Sequence, residues 1–333
     1  MVLQKFGKLF CENSHHSCSS RKDMIYNVLS SGNFEVSELK VGKLLGSGGF
    51  GSVYEAVFRG ERLALKKLHK GTKNERAARE SFEAETSVLN FAHPNIVRTF
   101  ALMNLWDTNC IIMEYAGDRN LQNVINDSME SLTASRRIKF ALDIGHALDY
   151  AHDKGIAHLD LKPSNVMVTS EDHCKLADFG CCQSVEANEK PASPTKSNLT
   201  GTYAYRAPEL LRGDCPTTKA DIYSYGICLW QMLTREHPYG NQNQHVIIFG
   251  VVAYQLRPTL TSLDVQARDE VYVNLMQQCW EADPKLRPLA SDIVVKMKNS
   301  SRNAPKDRCP AAAYAVTQEG QSCTLNRIEV CDS

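Results

Sequence analysis

Two short polar motifs lie close together in the middle of the chain, and the stretch that joins them limits the fold more than any other feature. The first motif is His158-Leu159-Asp160-Leu161-Lys162-Pro163-Ser164-Asn165 and the second is Asp178-Phe179-Gly180. Between them, Val166-Met167-Val168 and Cys174-Lys175-Leu176 flank the turn-rich Thr169-Ser170-Glu171-Asp172, which reads as a hairpin. A hairpin there brings Asn165 and Asp178 to one place. Asp160 can then accept a hydroxyl proton, Lys162 can sit near a moving phosphoryl group, and Asn165 and Asp178 can hold metal ions. Phosphoryl transfer needs these parts, because it asks for positioning and charge compensation rather than covalent chemistry.

These motifs resemble the catalytic loop and metal-binding motif of the eukaryotic protein kinases. An Asp-Phe-Gly triplet alone is weak evidence, so the rest of the chain has to supply the other parts in order. Alternation through Leu39, Val41 and Lys43 leads to Leu44-Leu45 and then Gly46-Ser47-Gly48-Gly49-Phe50-Gly51, and a second strand follows through Val53 to Phe58. Three glycines at fixed spacing recur by chance with a probability on the order of 0.1 in a chain this long. The strand on each side of the run is the stronger signal, because a dinucleotide fold would continue into a helix. The resemblance implies a flap over ATP phosphates, with Leu45, Gly46, Ser47, Gly48, Gly49, Phe50 and Gly51 along it, Phe50 at its tip and Val53 against the adenine. After the turn at Arg59-Gly60, period two puts Ala64 and Lys66 on one face of a third strand and Leu63 and Leu65 on the other. Ala64 can lie against the adenine, and Lys66 can reach the α- and β-phosphates.

A helical pattern over 77–90 offers two acidic partners for Lys66. Phe82, Glu85, Val88 and Leu89 share one apolar face, whereas Glu83 is turned away from it, so Glu85 is chosen. Ile96 to Phe100 and Ile111 to Tyr115 read as two further strands. By resemblance, Met113 is the gatekeeper of the adenine pocket, the backbones of Glu114 and Ala116 bind the adenine edge, and Ala116-Gly117 is the hinge. Helices follow, one carrying Ile138, Ala141, Leu142, Ile144, Gly145, Leu148 and Ala151 on one face. Glu209 is expected to pair with Arg287, and Asp221 to brace the catalytic loop.

The fold expected is α+β and bilobal, like the protein kinases. It has a small lobe (37–116) with an antiparallel five-stranded sheet and one main helix, and a larger, mostly helical lobe (117–300). The activation segment runs over 178–209, and residues 1–36 and 301–333 read as flexible extensions. ATP and Mg2+ are the expected cofactors. Lys162, two residues after Asp160, and Thr202 match serine/threonine kinases rather than tyrosine kinases. More narrowly, the chain resembles the Mos kinases, through Ile112-Met113-Glu114-Tyr115, Asp178-Phe179-Gly180-Cys181, residues 229–236 and residues 251–258. That resemblance implies a MAP-kinase kinase as protein substrate and a role in oocyte meiotic maturation and arrest. A serine/threonine kinase of another pathway, a pseudokinase scaffold and a small-molecule kinase are the alternatives. The presence of Lys66, Asp160, Asn165 and Asp178 counts against the scaffold, and residues 201–209 against the small-molecule kinase.

Composition narrows the setting. With 38 basic and 38 acidic residues, nothing asks for nucleic acid or an anionic membrane. No run approaches the ~20 apolar residues of a membrane span. The twelve cysteines show no framework spacing and no signal peptide precedes them, so a reduced, cytoplasmic monomer is expected. Cys11, His15, His16 and Cys18 lie too close together for a zinc site and read as part of a tail. Leu159 stands where most kinases carry an arginine that docks an activation-segment phosphate. Activity without phosphorylation at Ser193, Thr195, Ser197 or Thr200 is therefore expected.

Overall fold

Period-two alternation builds the first half of the chain into one sheet. A computed structural model describes residues 21–30, 35–49, 51–69, 75–185, 203–240, 242–260 and 270–303. In it, β1 (Leu39–Ser47), β2 (Gly51–Phe58), β3 (Glu61–Leu68), β4 (Thr99–Leu105) and β5 (Thr108–Glu114) form an antiparallel sheet in the order β1-β2-β3-β5-β4. The β2–β3 turn, Arg59-Gly60, has φ of 49° and 82°, and two left-handed residues give the twist that closes a two-residue hairpin. Leu63, Ala64, Leu65 and Lys66 of β3 are all buried, so both faces of this strand are covered. Lys66 faces α2 (Glu75–Thr86), while Leu63 and Leu65 join a cluster with Phe58, Phe100 and Ile112.

Three expectations need correction. Residues 1–36 are not a flexible extension throughout, because residues 21–30 form a helix, α1 (Arg21–Ser30), that packs on β4. A helix this short is marginal alone. Ile25 and Leu29, one turn apart, enter the small-lobe cluster and stabilise it. The helix expected over 77–90 ends at Thr86, and turns occupy 87–90. The fourth strand begins at Thr99 rather than Ile96. Residues 95–97 spend their hydrogen bonds on the large lobe instead: Leu176 N donates to Asn95 O at 2.7 Å, and Val97 N to Leu176 O at 2.8 Å.

The second half is helical: α3 (Leu121–Asn126), α4 (Ala134–Asp153), α5 (Pro208–Arg212), α6 (Thr218–Thr234), α7 (Gln244–Ala253), α8 (Glu270–Cys279) and α9 (Ala290–Asn303). Short strands thread between them. β6 (Arg119–Asn120), β8 (Val166–Val168) and β9 (Cys174–Leu176) form one sheet, while β7 (Ile156–Ala157) pairs with β10 (Gln183–Ser184). The β8–β9 ladder, Val166 opposite Leu176 and Val168 opposite Cys174, is the hairpin read from the sequence. α6 lies at the centre, buried from Ala220 to Met232. Arg287, 1% exposed, forks onto Glu209, with Nη1–Oε1 at 2.6 Å and Nη2–Oε2 at 2.8 Å, a two-pronged pairing of fixed geometry.

Candidate active site

The large-lobe side of the cleft is built on a carboxylate that touches no solvent. Asp221, in the first turn of α6, accepts from the backbone N–H of His158 and of Leu159, both at 2.7 Å, and lies 2.9 Å from His152 Nε2. Burial opposes its charge, but these donors win and hold the carboxyl below its ordinary range. His158 extends the brace. Its Nε2 donates to the Ala177 carbonyl at 3.1 Å and its Nδ1 accepts from Asp160 N at 3.3 Å. Phe179 meets His158 and Phe91 edge-on, at 4.7 and 5.8 Å between ring centroids. Leu159 is half-buried against the large-lobe core, with φ of 64°.

From this brace the loop presents Asp160. Lys162 Nζ and Asn165 Nδ2 both reach Asp160 Oδ2, at 2.9 Å each, and Asn165 Nδ2 also donates to the Asp160 carbonyl at 2.8 Å. The Asn165 amide nitrogen is thereby committed, which leaves its amide oxygen for a cation.

On the small-lobe side, Lys66 Nζ lies 2.6 Å from Asp178 Oδ1 and 3.7 Å from Glu85 Oε1. Glu85 is buried and Glu83 exposed, which agrees with the helical-face argument. Burial disfavours the Lys66 charge, but Asp178 and Glu85 outweigh it and the ammonium is held above its usual value. The same ammonium holds Asp178 at about 2. Burial pushes Glu85 up to about 7, and Lys66 offsets this only in part. Asp178 is thus an ionised oxygen donor facing Asn165, and this oxygen-only pair suits Mg2+. Gly180 passes so close to α2 that a Cβ there would lie 2.2 Å from Ser81 Oγ. Cys181 beside these groups stays a thiol, pushed up to about 12 by burial and by Asp160 and Asp178.

A cavity of about 460 Å³ opens between the lobes, within the usual size range of ligand sites. Leu45, Gly46, Val53, Ala64, Lys66, Glu85, Met113, Glu114, Ala116, Asn165 and Asp178 all line it. Asp160 and Lys162 stand beside it through their bonds to Asn165 and to each other. Ser47, Gly48, Gly49 and Gly51 do not line it. Ser47 Oγ lies 2.9 Å from Ser52 Oγ, and Gly48 N donates to Gly51 O at 2.9 Å. Gly51 packs where a Cβ would lie 2.5 Å from the Lys67 carbonyl. Phe50, Thr202, Ser193, Thr195, Ser197, Thr200 and the Cys11–Cys18 cluster lie outside the described residues. Sequence reasoning missed Val97, Met167 and Ala177, which line the cavity. Met167 carried a signal, since alternation sets it on the opposite face of β8 from Val166 and Val168, which are buried.

The arrangement has counterparts among known proteins. The protein kinase domain family matches residues 39–297. The serine/threonine-protein kinase mos of Patiria pectinifera is 50% identical over 81% of this chain and 78% of its own length. That of Xenopus laevis is 39% identical over 85% and 81%. The proto-oncogene serine/threonine-protein kinase mos of Mus musculus is 42% identical over 73% and 75%.

Proposed function

Since the chain belongs to the protein kinase family and, within it, to the Mos serine/threonine-protein kinases, we propose that Asp160, Lys162, Lys66, Asn165 and Asp178 carry out transfer from ATP to a protein serine or threonine, and that the protein substrate is a MAP-kinase kinase. The observation that carries the reading is one cavity lined by both Asn165 and the Lys66–Asp178 pair, with Asp160 and Lys162 bonded beside Asn165. When bound, ATP supplies the phosphoryl group and Mg2+ neutralises charge on its phosphates.

The chain's own residues do the rest. Asp160 accepts the proton of the attacking hydroxyl, and Asn165 fixes its carboxylate. Lys162 donates to Asp160 Oδ2 and compensates charge on the transferred group. Lys66 orients the other phosphates and is itself aligned by Glu85. Asn165 and Asp178 would hold the metal through their oxygens. Leu45, Gly46, Val53, Ala64 and Met113 enclose the adenine, and the backbones of Glu114 and Ala116 bind its edge. Ser47, Gly48, Gly49 and Gly51 serve in the flap over the phosphates.

In the cell the enzyme acts as a cytoplasmic monomer that drives the MAPK cascade in oocyte meiotic maturation and arrest. Likeness to the Mos kinases supports this reading. No helix among the described residues is long and apolar enough to cross a membrane. The test is purified full-length protein with ATP, Mg2+ and candidate MAP-kinase kinases, beside Asp160→Asn. Phosphate on serine or threonine of a MAP-kinase kinase, absent with Asp160→Asn, is the expected result. Transfer to a general substrate but to no MAP-kinase kinase would leave the enzyme and remove the pathway.

A further inference from the structure

α1 precedes the matched span 39–297, yet it is fastened to the edge of the cleft by charge as well as by packing. Lys22, Ile25, Tyr26 and Leu29 recur at three- and four-residue steps and share one face. Ile25 and Leu29 enter the small-lobe core. One turn before them, Lys22 Nζ donates to Glu114 Oε1. Next to it, Asp23 Oδ1 accepts from Arg98 Nη1 at 2.5 Å. The Arg98 guanidinium lies 4.7 Å from the centre of the Tyr26 ring, and Tyr26 Oη donates to Asn90 Oδ1 at 3.1 Å.

Glu114 ends β5 where the hinge begins. Its side chain is 6% exposed, and a buried carboxylate needs partners. Lys22 supplies one and Lys175 of β9 another, its Nζ 3.1 Å from the carboxylate. The Arg98 N–H donates to Oε2 at 3.3 Å, and Glu114 N donates to the Arg98 carbonyl at 2.8 Å. α1 therefore grips Glu114 twice: directly through Lys22, and through Arg98, whose side chain it holds and whose backbone pairs with Glu114. Burial opposes the Glu114 charge, but Lys22 and Lys175 prevail and hold the carboxyl below its usual range.

We infer that α1 is a positioning element of the nucleotide site, with Lys22 fixing the orientation of the Glu114 peptide that meets the adenine edge. The inference rests on the reading of Glu114 and Ala116 as adenine-binding. A helix that only stabilised the sheet would need Ile25 and Leu29 but no lysine. Lys22 is 57% exposed and buries little, so its contribution is to position.

The test uses the full chain with Lys22→Arg, Lys22→Ala and Lys22→Glu. Three quantities are measured: KM for ATP and kcat at a fixed protein substrate, ATP binding by calorimetry, and the thermal midpoint without nucleotide. Lys22→Arg is expected within twofold of the parent. Lys22→Ala raises KM and Kd for ATP about threefold to tenfold, the range for a pair with one exposed partner. Lys22→Glu, a like charge against Glu114, raises them further. Throughout the series kcat stays within about twofold and the midpoint within ~2 °C. Unchanged ATP affinity in Lys22→Glu overturns the inference, as does a rise in KM that merely tracks a falling midpoint and is not spared by Lys22→Arg. Absence of ATP binding by the parent chain overturns the adenine reading itself, and the inference with it.

Discussion

On the large-lobe side of the cleft, the functional groups trace back to hydrogen bonds on the buried Asp221, whereas on the small-lobe side the groups meant for phosphate are held by one another or by a few bonds within the glycine loop itself. Asp160 is fixed through Asn165, Lys162 and a backbone hung from Asp221. Lys66 depends on carboxylates from two separate elements, Glu85 on α2 and Asp178 after β9. A Cβ at Gly46, Gly48 or Gly49 would meet nothing within 4 Å. The division has a physical logic. Proton transfer gains from a base fixed before the reactants arrive. The groups that receive a nucleotide must open for it and can close only once it is bound.

The largest effect should come from the loosely held side. Lys66→Arg is expected to abolish transfer although charge is kept, because a wide, planar guanidinium cannot replace a compact ammonium between phosphate and Glu85. Normal turnover in that variant would remove Lys66 from the phosphate site and the comparison with it. On the fixed side, Asp160→Asn should lower turnover by about 10²–10⁴ while largely keeping ATP affinity. Weak ATP binding with intact turnover would place Asp160 elsewhere.

Stability effects come next. Arg287→Ala leaves Glu209 buried and unpaired, a loss of about 3–5 kcal/mol by denaturant titration. A loss near zero would mean that Glu209 finds water on relaxation. Asp221→Asn removes one strong acceptor from the brace, at about 1–3 kcal/mol. Its pH dependence sharpens the point. The Asp221 carboxyl is held below its ordinary 3.8, so its stabilisation is fully present above that value. It is lost as pH falls through the lower, folded one. The gap between parent and Asp221→Asn should therefore narrow as pH drops below about 4; a constant gap would remove charge from the brace.

The smallest effect expected is none. Phosphatase-treated enzyme, and a variant with Ala at Ser193, Thr195, Ser197 and Thr200, should keep most of their activity, because Leu159 offers a phosphate no charge-assisted bond. Loss of most activity in either, with the protein still folded, would mean that another basic group, such as Arg206, reads a phosphate there; Lys175 is already paired with Glu114 at the hinge.

Much of this was legible in the residues because the signals were local or periodic. Helical spacing alone separated Glu85 from Glu83, and strand alternation placed Ala64 and Lys66 on the cavity face. What escaped was set by partners distant in sequence. α1 has only Ile25 and Leu29 as deep apolar anchors, too few to register as periodicity, and it exists because β4 receives them. Val97 and Ala177 are ordinary apolar residues until the lobes close a cavity over them. Ile96 to Arg98 read as strand because their side chains suit one, yet hydrogen bonds at 95–97 run to β9 across the lobes.

Leu159 has a mechanical meaning as well as a regulatory one. At φ 64° a leucine works against its own backbone by about 1–2 kcal/mol. Its N–H and that of His158 are caught by Asp221, so the loop is a sprung latch and Asp221 is the catch. Released, Leu159 would be free to relax to negative φ, leaving Asp160 held only through Asn165 and Lys162. The catch is a single carboxylate with two side-chain bonds beyond it, while the helices around it are held by an entire core. Activity should therefore disappear at denaturant concentrations where the large lobe still keeps its helices.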